Sequence, residues 1–201
     1  MYENTPSAIL NFGLEYNLNI NDNHKYMISG SLDDIKKINK KHLYDFYDAF
    51  YIPSNSFIVI TGNFNVIETL CIIKDYFKDK ELKDNKVNIF IPNEPICAQK
   101  DYEETNTLVK YKTFKIGLKI DKKRFNKIDS NMLDIYLESI LETKFSNASE
   151  LTNYLKLNNL INNDIYYSYD IRDKYIYISF EIYSDYIDEI IKILEDFMTE
   201  K

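Results

Sequence analysis

The sequence predicts an α+β protein in which helices pack on one face of antiparallel sheets. The last third of the chain supports this most directly. Apolar side chains alternate with polar ones before and after a turn at residues 172–174, which is typical of a β-hairpin with one buried face. Segments with apolar residues at helical spacing lie on either side of the strand candidates. The chain has 201 residues, 45% of them hydrophobic, so it can bury a core as one domain or as two smaller ones.

The first 50 residues predict three helices. A short helix is expected over residues 3–16, and a second begins after Ser31, where Asp34 favours the positive end of the helix. Asn39 is expected to cap the third helix, which Pro53 ends. The apolar residues of this third helix recur at helical spacing and predict one buried stripe, formed by Leu43, Phe46, Tyr47 and Phe50.

The next segment predicts a strand, a helix and a linker. Residues 57–61, FIVIT, form a continuous β-branched and aromatic run, which is typical of a strand covered on both faces. Asn65 then begins a long helix, in which Cys71 is expected to be a buried thiol. Residues 79–104 are charged and contain two prolines, so they indicate a linker with one possible strand at 87–91.

The second half of the chain predicts a strand, two helices, the hairpin and a closing helix. The strand is expected over residues 107–120, where Gly117 indicates a bulge or a close approach of another segment. A helix over 130–143 follows, and Ser146 is expected to cap the next, which runs to Leu157. After the hairpin, Ser184 is expected to cap the closing helix.

Composition excludes several classes of function. The net charge is -7, which argues against a general nucleic-acid binder because phosphate contacts need a basic surface. The basic residues among 119–127 suggest either a phosphate-binding site or a solvated loop before a helix, and the acidic chain as a whole favours the loop. No apolar run reaches the roughly 18 residues that a membrane span needs, and the N-terminal residues do not resemble a signal peptide. We therefore expect a cytoplasmic protein without a membrane partner.

Five stretches of sequence, in this order, carry a resemblance to a known family. They are the start MYENTP, the segment Gly30–Phe64 with its turn FYIPSN at 50–55, the pair Glu94–Pro95, the strand FKIGLK at 114–119, and residues 146–161, where Asn159 stands in place of a glycine. The ordered set resembles the insulinase-like (pitrilysin-like, M16) zinc peptidases, most closely bacterial members built from two related units. The resemblance implies that residues 1–80 are the back half of a first unit, 81–105 a linker, and 106–201 the front part of a second unit.

The resemblance implies zinc chemistry that this sequence does not encode by itself. Family members bind zinc through His-x-x-Glu-His and a distant glutamate, and the chain contains no such motif. Its only histidines are His24 and His42, whose spacing does not suit that motif. The resemblance also implies that the chain begins just after the distant glutamate. We therefore expect no catalytic residue, no metal ligand and no cofactor in this chain.

Three residues are candidates for binding a peptide substrate. Relatives supply an arginine and a tyrosine from the second unit, and the matching positions hold Lys156 and Asn163. The tyrosine-rich hairpin suggests Tyr167 and Tyr169 as part of a peptide-binding face, because family substrates bind partly by adding a strand to a sheet edge. The alternative is that these rings pack beneath helices of their own unit.

Three functional hypotheses follow. The chain is a fragment or non-catalytic homologue of an M16 zinc endopeptidase, active in peptide hydrolysis only if another part or subunit supplies the zinc ligands. Alternatively, it is a non-catalytic peptide- or protein-binding module that pairs with an active M16 subunit bearing HxxEH. The third hypothesis is a gene remnant without a function.

Overall fold

A computed structural model describes residues 5–79, 87–109 and 111–199. Its contacts divide the chain into two compact units, one formed by Met1–Ile28 with Pro92–Lys201 and the other by Ser29–Ile91. We call them the sheet unit and the helical unit. Residues 3–4 of the predicted N-terminal helix, 80–86 in the predicted linker region and 110 of the predicted strand lie outside the described residues. The boundaries at 80/81 and 105/106 were predicted from the family resemblance and separate two family units. They are a different division from the two units defined here by contacts, and they stay a prediction.

The sheet unit contains three antiparallel strands and four α-helices among its described residues. The strands are β1 (Thr113–Asp121), β2 (Tyr166–Ile171) and β3 (Tyr175–Tyr183), in the spatial order β1-β3-β2. The helices are α1 (Pro6–Leu18), α5 (Ser130–Phe145), α6 (Glu150–Leu157) and α7 (Ile187–Thr199), numbered along the whole chain. The predicted hairpin is confirmed: β2 and β3 are joined by the turn at 172–174, which the backbone N–H of Arg172 closes by donating to the carbonyl of Tyr175 (2.9 Å).

The core lies between one face of the sheet and the helices α5, α6 and α7. The sheet contributes alternate residues of β3, because successive side chains of a strand point to opposite faces. The Phe145 ring of α5 packs against Phe180 of β3, with their centroids 4.4 Å apart. The buried apolar residues of this core include Leu133, Leu137, Leu141, Leu155, Ile176, Ile178, Ile182, Ile190 and Leu194. The predicted α+β class with an antiparallel sheet is confirmed.

Helix α1 lies on the opposite face of the sheet, over β1. Gly117 pairs in regular register with Ser179 of β3, so the sequence signal at this glycine does not mark a bulge. A methyl group placed on Gly117 would lie 2.6 Å from Leu18 Cδ1 and 2.7 Å from Leu14 Cδ1. The second prediction for Gly117, a close approach of another segment, is confirmed.

Two element boundaries in the sheet unit differ from the predictions. Strand β1 begins at Thr113 rather than at 107, because its pairing with β3 ends at Tyr183. Helix α6 is capped by Ser149 rather than Ser146; the Ser149 hydroxyl accepts the backbone N–H of Thr152 (3.2 Å). Ser146 instead terminates α5, where its N–H donates to the carbonyl of Glu142 (3.2 Å).

The helical unit contains α2 (Leu32–Lys37), α3 (Lys40–Phe50) and α4 (Val66–Phe77). The predicted caps are confirmed, since the side chains of Ser31, Asn39 and Asn65 each accept a backbone N–H in the first turn of their helix. Across the part of the chain that the structure describes, no helix is both long and apolar enough to cross a membrane.

Four predictions for the helical unit are wrong. Residues 57–61 and 87–91 form no strand, because neither segment is paired with any of the three strands in the described chain. The apolar stripe of α3 is exposed rather than buried, and so is Cys71 of α4. Among the described residues of this unit only Ile52 is buried. The amphipathic patterns are present, but the described chain places no second layer against them.

Candidate functional site

The predicted residues Tyr167 and Tyr169 lie on one face of β2, which is an edge strand of the sheet. Both point to the core face, where Tyr167 is in register with Phe180 and Tyr169 with Ile178. Their hydroxyls bond to α5: Tyr167 donates to the carboxylate of Glu142, and Tyr169 donates to Asp134 Oδ1 (2.9 Å). The structure therefore places these rings beneath a helix of their own unit, as the alternative prediction had it.

These hydrogen bonds keep both tyrosines protonated. The bond to Glu142, together with burial, raises the pKa of Tyr167 to about 12. Burial, with the bond to Asp134, also raises the pKa of Tyr169. Both shifts move the hydroxyls further from the pKa that a general base needs near neutral pH.

A surface cleft lies between the outer part of β2 and helix α5. Its volume is about 390 Å³, and it is lined by Glu138, Glu142, Tyr167, Ser168 and Tyr169. On its other side β2 pairs with β3, while within the described residues nothing pairs with its outer edge. A free strand edge can accept an extended peptide through main-chain hydrogen bonds. The carboxylates beside it favour a peptide with basic side chains.

Lys156, the third candidate, lies outside this cleft. It is on α6, and its ammonium group forms a 2.5 Å ion pair with the carboxylate of Asp164. Both side chains are partly exposed, and the neighbouring candidate position Asn163 is exposed. The structure thus brings together Tyr167 and Tyr169 but not Lys156.

The two histidines lie in the two different units. His24 is in a short turn, with its Nδ1 2.6 Å from Asp22 Oδ1. His42 is near the start of α3, with its Nε2 3.4 Å from the side-chain nitrogen of Asn39. In residues 5–79, 87–109 and 111–199, no three His, Cys, Asp or Glu side chains are grouped as a metal ion would need.

Sequence reasoning missed a buried polar cluster around Glu94. The Glu94 carboxylate accepts three consecutive backbone N–H groups, those of Ile20 (2.9 Å), Asn21 (2.5 Å) and Asp22 (2.8 Å). It also forms a 2.5 Å ion pair with Lys119, and both side chains are more than nine-tenths buried. Assigning Lys119 to a solvated loop was therefore wrong.

Aromatic and charged neighbours extend the Glu94 cluster across β3. The Tyr177 hydroxyl donates to Asn19 Oδ1 (2.6 Å), and the Arg172 guanidinium lies 3.9 Å from the centre of the Tyr177 ring. Arg172 also forms a 2.7 Å ion pair with Glu15 of α1. Burial opposes ionisation of Glu94, but its hydrogen bonds outweigh that effect and lower its pKa. The Glu94 carboxylate already accepts hydrogen bonds from three N–H groups and from Lys119. The cluster therefore holds distant chain segments together and provides no reactive group.

Comparison with known proteins identifies the family. A family model described as the peptidase M16 inactive domain matches residues 37–200. The chain belongs to the peptidase M16 family. No curated protein matches it.

Two solved structures share the fold of this M16 chain. An M16-like peptidase of Alicyclobacillus acidocaldarius matches with a TM-score of 0.80 and 20% identity, over 98% of this chain and 47% of the other. A protease of Helicobacter pylori matches with a TM-score of 0.71 and 17% identity, over 96% of this chain and 48% of the other. The M16 chain thus spans about half the length of the solved chains it resembles.

Proposed function

We propose that this M16 chain is a non-catalytic scaffold of a cytoplasmic zinc endopeptidase. It takes part in peptide hydrolysis only when another polypeptide, or another part of the same gene product, supplies the zinc ligands. The observation that carries the proposal is the match of residues 37–200 to the inactive domain of the family, in a sequence that contains no His-x-x-Glu-His. The fold shared with an M16-like peptidase supports it.

Metal analysis and a peptidase assay test this proposal together. We expect the purified chain to bind no stoichiometric zinc and to cleave no fluorogenic peptide, because its two histidines lack the sequence spacing of the His-x-x-Glu-His ligand pair. When mixed with the HxxEH-bearing M16 polypeptide of the organism that encodes it, the chain should raise hydrolysis above that of the polypeptide alone. Chelator-sensitive hydrolysis by the purified chain itself would overturn the proposal.

A second candidate function is peptide binding at the outer edge of β2. The free strand edge and the acidic cleft beside it support this role. A fluorescein-labelled extended peptide with alternate lysines should bind with an affinity that falls when Tyr167 or Tyr169 is replaced by phenylalanine. Tyr166→Phe is the matched control, because Tyr166 lies on the same strand but points to the other face. Lys156→Gln tests whether α6 also contributes; equal binding by all four variants would exclude this site.

A further inference from the structure

A surface pocket lies on the outer face of the sheet, the face opposite the apolar core. Pro6 and Leu10 in the first turns of α1 cover it, and its floor is formed by Thr113 of β1 with Glu181 and Tyr183 of β3. Its volume is about 320 Å³, at the lower end of the roughly 300–1,000 Å³ that ligand pockets span. The pocket is therefore large enough for a small organic ligand, and it shares no lining residue with the cleft beside β2.

The side chains along β1 explain why a pocket forms at the start of α1. At Gly117 the strand has no side chain, and two leucines of α1 lie close to its backbone. Towards the start of the strand the next two outward positions are Lys115 and Thr113, because side chains alternate between the faces. The Lys115 ammonium donates to Asn11 Oδ1 of α1, so a side chain separates the helix from the strand there. The close packing at Gly117 therefore does not continue to Thr113, where the pocket opens.

The charged groups beneath the pocket balance each other. Glu181 lies opposite Lys115 across the two strands, and its Oε2 is 3.9 Å from the lysine Nζ. The two side chains are only 14% and 12% exposed, so water screens both charges weakly. Residues 6–9 of α1 add no charge. A ligand cation would be repelled by Lys115 and a ligand anion by Glu181, which favours an uncharged ligand.

The Glu181 carboxylate has capacity for another hydrogen bond. It accepts one from the Tyr183 hydroxyl (2.8 Å), whereas Lys115 lies beyond hydrogen-bonding distance. An ionised carboxylate can accept about four hydrogen bonds. The bond to Glu181 raises the pKa of Tyr183, so that hydroxyl stays protonated and continues to donate to the carboxylate. The floor of the pocket therefore offers an acceptor to a ligand that carries an N–H or O–H group.

The remaining lining of the pocket is mostly apolar and aromatic. Pro6, Leu10 and Val109 line its sides. The Tyr183 ring lies on the floor, and the Tyr166 ring packs edge-on against it with their centroids 6.1 Å apart. Aromatic rings pack favourably on one another in offset and edge-to-face arrangements. These surfaces, together with the acceptor, fit a flat aromatic ring that bears one donor.

We propose that this pocket binds an uncharged aromatic ring with a hydrogen-bond donor, such as an indole or a phenol, whose N–H or O–H donates to Glu181. The ring lies between α1 and the Tyr183 ring. It can belong to a free small molecule or to a tryptophan or tyrosine side chain of a peptide, since the chemistry at the pocket is the same. The inference is independent of the proposed function, because the pocket lies on the other face of the sheet from the β2 cleft.

Titrations of the full chain by saturation-transfer NMR test the ligand class. They compare indole with 1-methylindole, in which a methyl group replaces the N–H donor. We expect indole to bind at least about tenfold more tightly, as the loss of one hydrogen bond to a charged acceptor predicts. Benzylamine and benzoate, which carry a positive and a negative charge, should bind more weakly than indole. Equal binding of indole and 1-methylindole, or tighter binding of either charged ring, would overturn the proposal.

Two variants locate the ligand. Val109→Trp fills the pocket from an irregular segment in which Val109 is 43% exposed, so indole binding should be lost while the core stays intact. Glu181→Gln leaves Lys115 unbalanced, so the preference should shift from indole towards benzoate. Leu157→Trp is the matched control, because Leu157 is 82% exposed at the end of α6, and this variant should bind indole as the wild-type chain does. Unchanged binding by Val109→Trp would overturn the site, whether or not Glu181→Gln folds.

N-acetyl-tryptophanamide distinguishes the two sources of the ring. It presents the indole on a peptide-like backbone without adding a charge. Binding as tight as that of indole would identify a peptide side chain as the ligand, whereas much weaker binding would identify a free small molecule. Either result supports the pocket as a site for an aromatic donor, provided that Val109→Trp abolishes the binding. Binding of both probes that survives Val109→Trp would place them elsewhere and overturn the proposal.

Discussion

Asn159 shows how a single residue accommodates a backbone conformation that favours glycine. Its φ is 56°, in the left-handed region. It follows α6 in a turn that satisfies the free carbonyls of the helix end: the N–H of Leu160 donates to Leu155 (2.9 Å) and that of Asn159 to Lys156 (3.0 Å). Asparagine tolerates this conformation better than other non-glycine residues, so the turn is retained.

Substitution at Asn159 should therefore follow backbone preference rather than side-chain size. We expect Asn159→Gly to keep the stability of the chain, and Asn159→Ala to lower its free energy of unfolding by about 1 kcal/mol, since a Cβ is strained at positive φ. Urea unfolding followed by circular dichroism measures both. Asn158→Ala is the neighbouring control, because Asn158 has a negative φ of -88°. Equal stability of the two Asn159 variants would contradict this explanation.

Glu94 joins residues 20–22 to Lys119 of strand β1. Glu94→Gln removes a buried charge that faces Lys119 and three N–H groups, and breaking a buried pair leaves the remaining charge without compensation. We expect the free energy of unfolding to fall by about 3 kcal/mol. The control Asp45→Asn breaks an exposed pair with Lys41 and should change stability little. A double variant with Lys119→Met should recover part of the loss, because it removes the orphaned charge.

The pH dependence of stability gives an independent test of the same carboxylate. Because the pKa of Glu94 is lowered in the folded chain from its ordinary value of 4.5, its contribution is full above that value and is lost as the pH falls through the folded pKa. The stability difference between the wild-type chain and Glu94→Gln should therefore be largest at neutral pH. It should shrink steadily as the pH falls below 4.5 and through the lowered pKa of the folded chain. Chemical unfolding at a series of pH values measures it, and a constant difference would contradict the assignment.

At the scale of elements, the packing of α1 on β1 depends on the absence of a side chain at Gly117. A Cβ there would meet the ends of two leucine side chains, so Gly117→Ala should displace α1 and cost about 1–3 kcal/mol in the free energy of unfolding. Gly13→Ala is the matched control within α1 itself, where a Cβ meets nothing within 4 Å. That variant should gain about 0.5–1 kcal/mol from helix propensity. Thermal unfolding of the two variants should therefore shift in opposite directions.

The elements that the sequence predicted correctly are those specified locally. The β2–β3 hairpin follows from a period of two on each side of a short turn, and the caps at Ser31, Asn39 and Asn65 from residues within one helical turn. Gly117 could be assigned to a bulge or to a close approach, and only the distant helix α1 decides between them. The pairing of Glu94 with Lys119 and with residues 20–22 joins distant segments, and no local pattern marks it.

The failed strand at 57–61 has a different physical cause. Its composition correctly indicates a segment suited to a sheet, but a strand is defined by its partner, and the described chain offers none. The same holds for the apolar stripe of α3. Its helical spacing was predicted correctly, but its burial was not. For the candidate site, the pattern placed Tyr167 and Tyr169 on one face, yet could not show that α5 lies over them.

Across the whole molecule, burial is concentrated in one unit. The sheet unit holds the apolar core between β1–β3 and α5–α7, whereas the helical unit buries only Ile52 among its described residues. Because folding must offset a large loss of conformational entropy, a segment with so little burial opens at low free energy cost. Stability should therefore differ sharply between the two units, although they belong to one chain.

Native-state hydrogen exchange with increasing urea should resolve this difference. We expect the amides of α3 and α4 to exchange by local opening at free energies only about 1–2 kcal/mol above zero, and those of β3 only near the global unfolding free energy. The reason is that β3 is paired on both sides and contributes the buried Ile176, Phe180 and Ile182. Helix α5, which has a buried face, serves as the internal control for helical amides and should exchange with β3. If α4 and β3 opened in one cooperative step, the helical unit would have to be held by contacts as strong as those of the core, and its exposed stripes would not be an available surface.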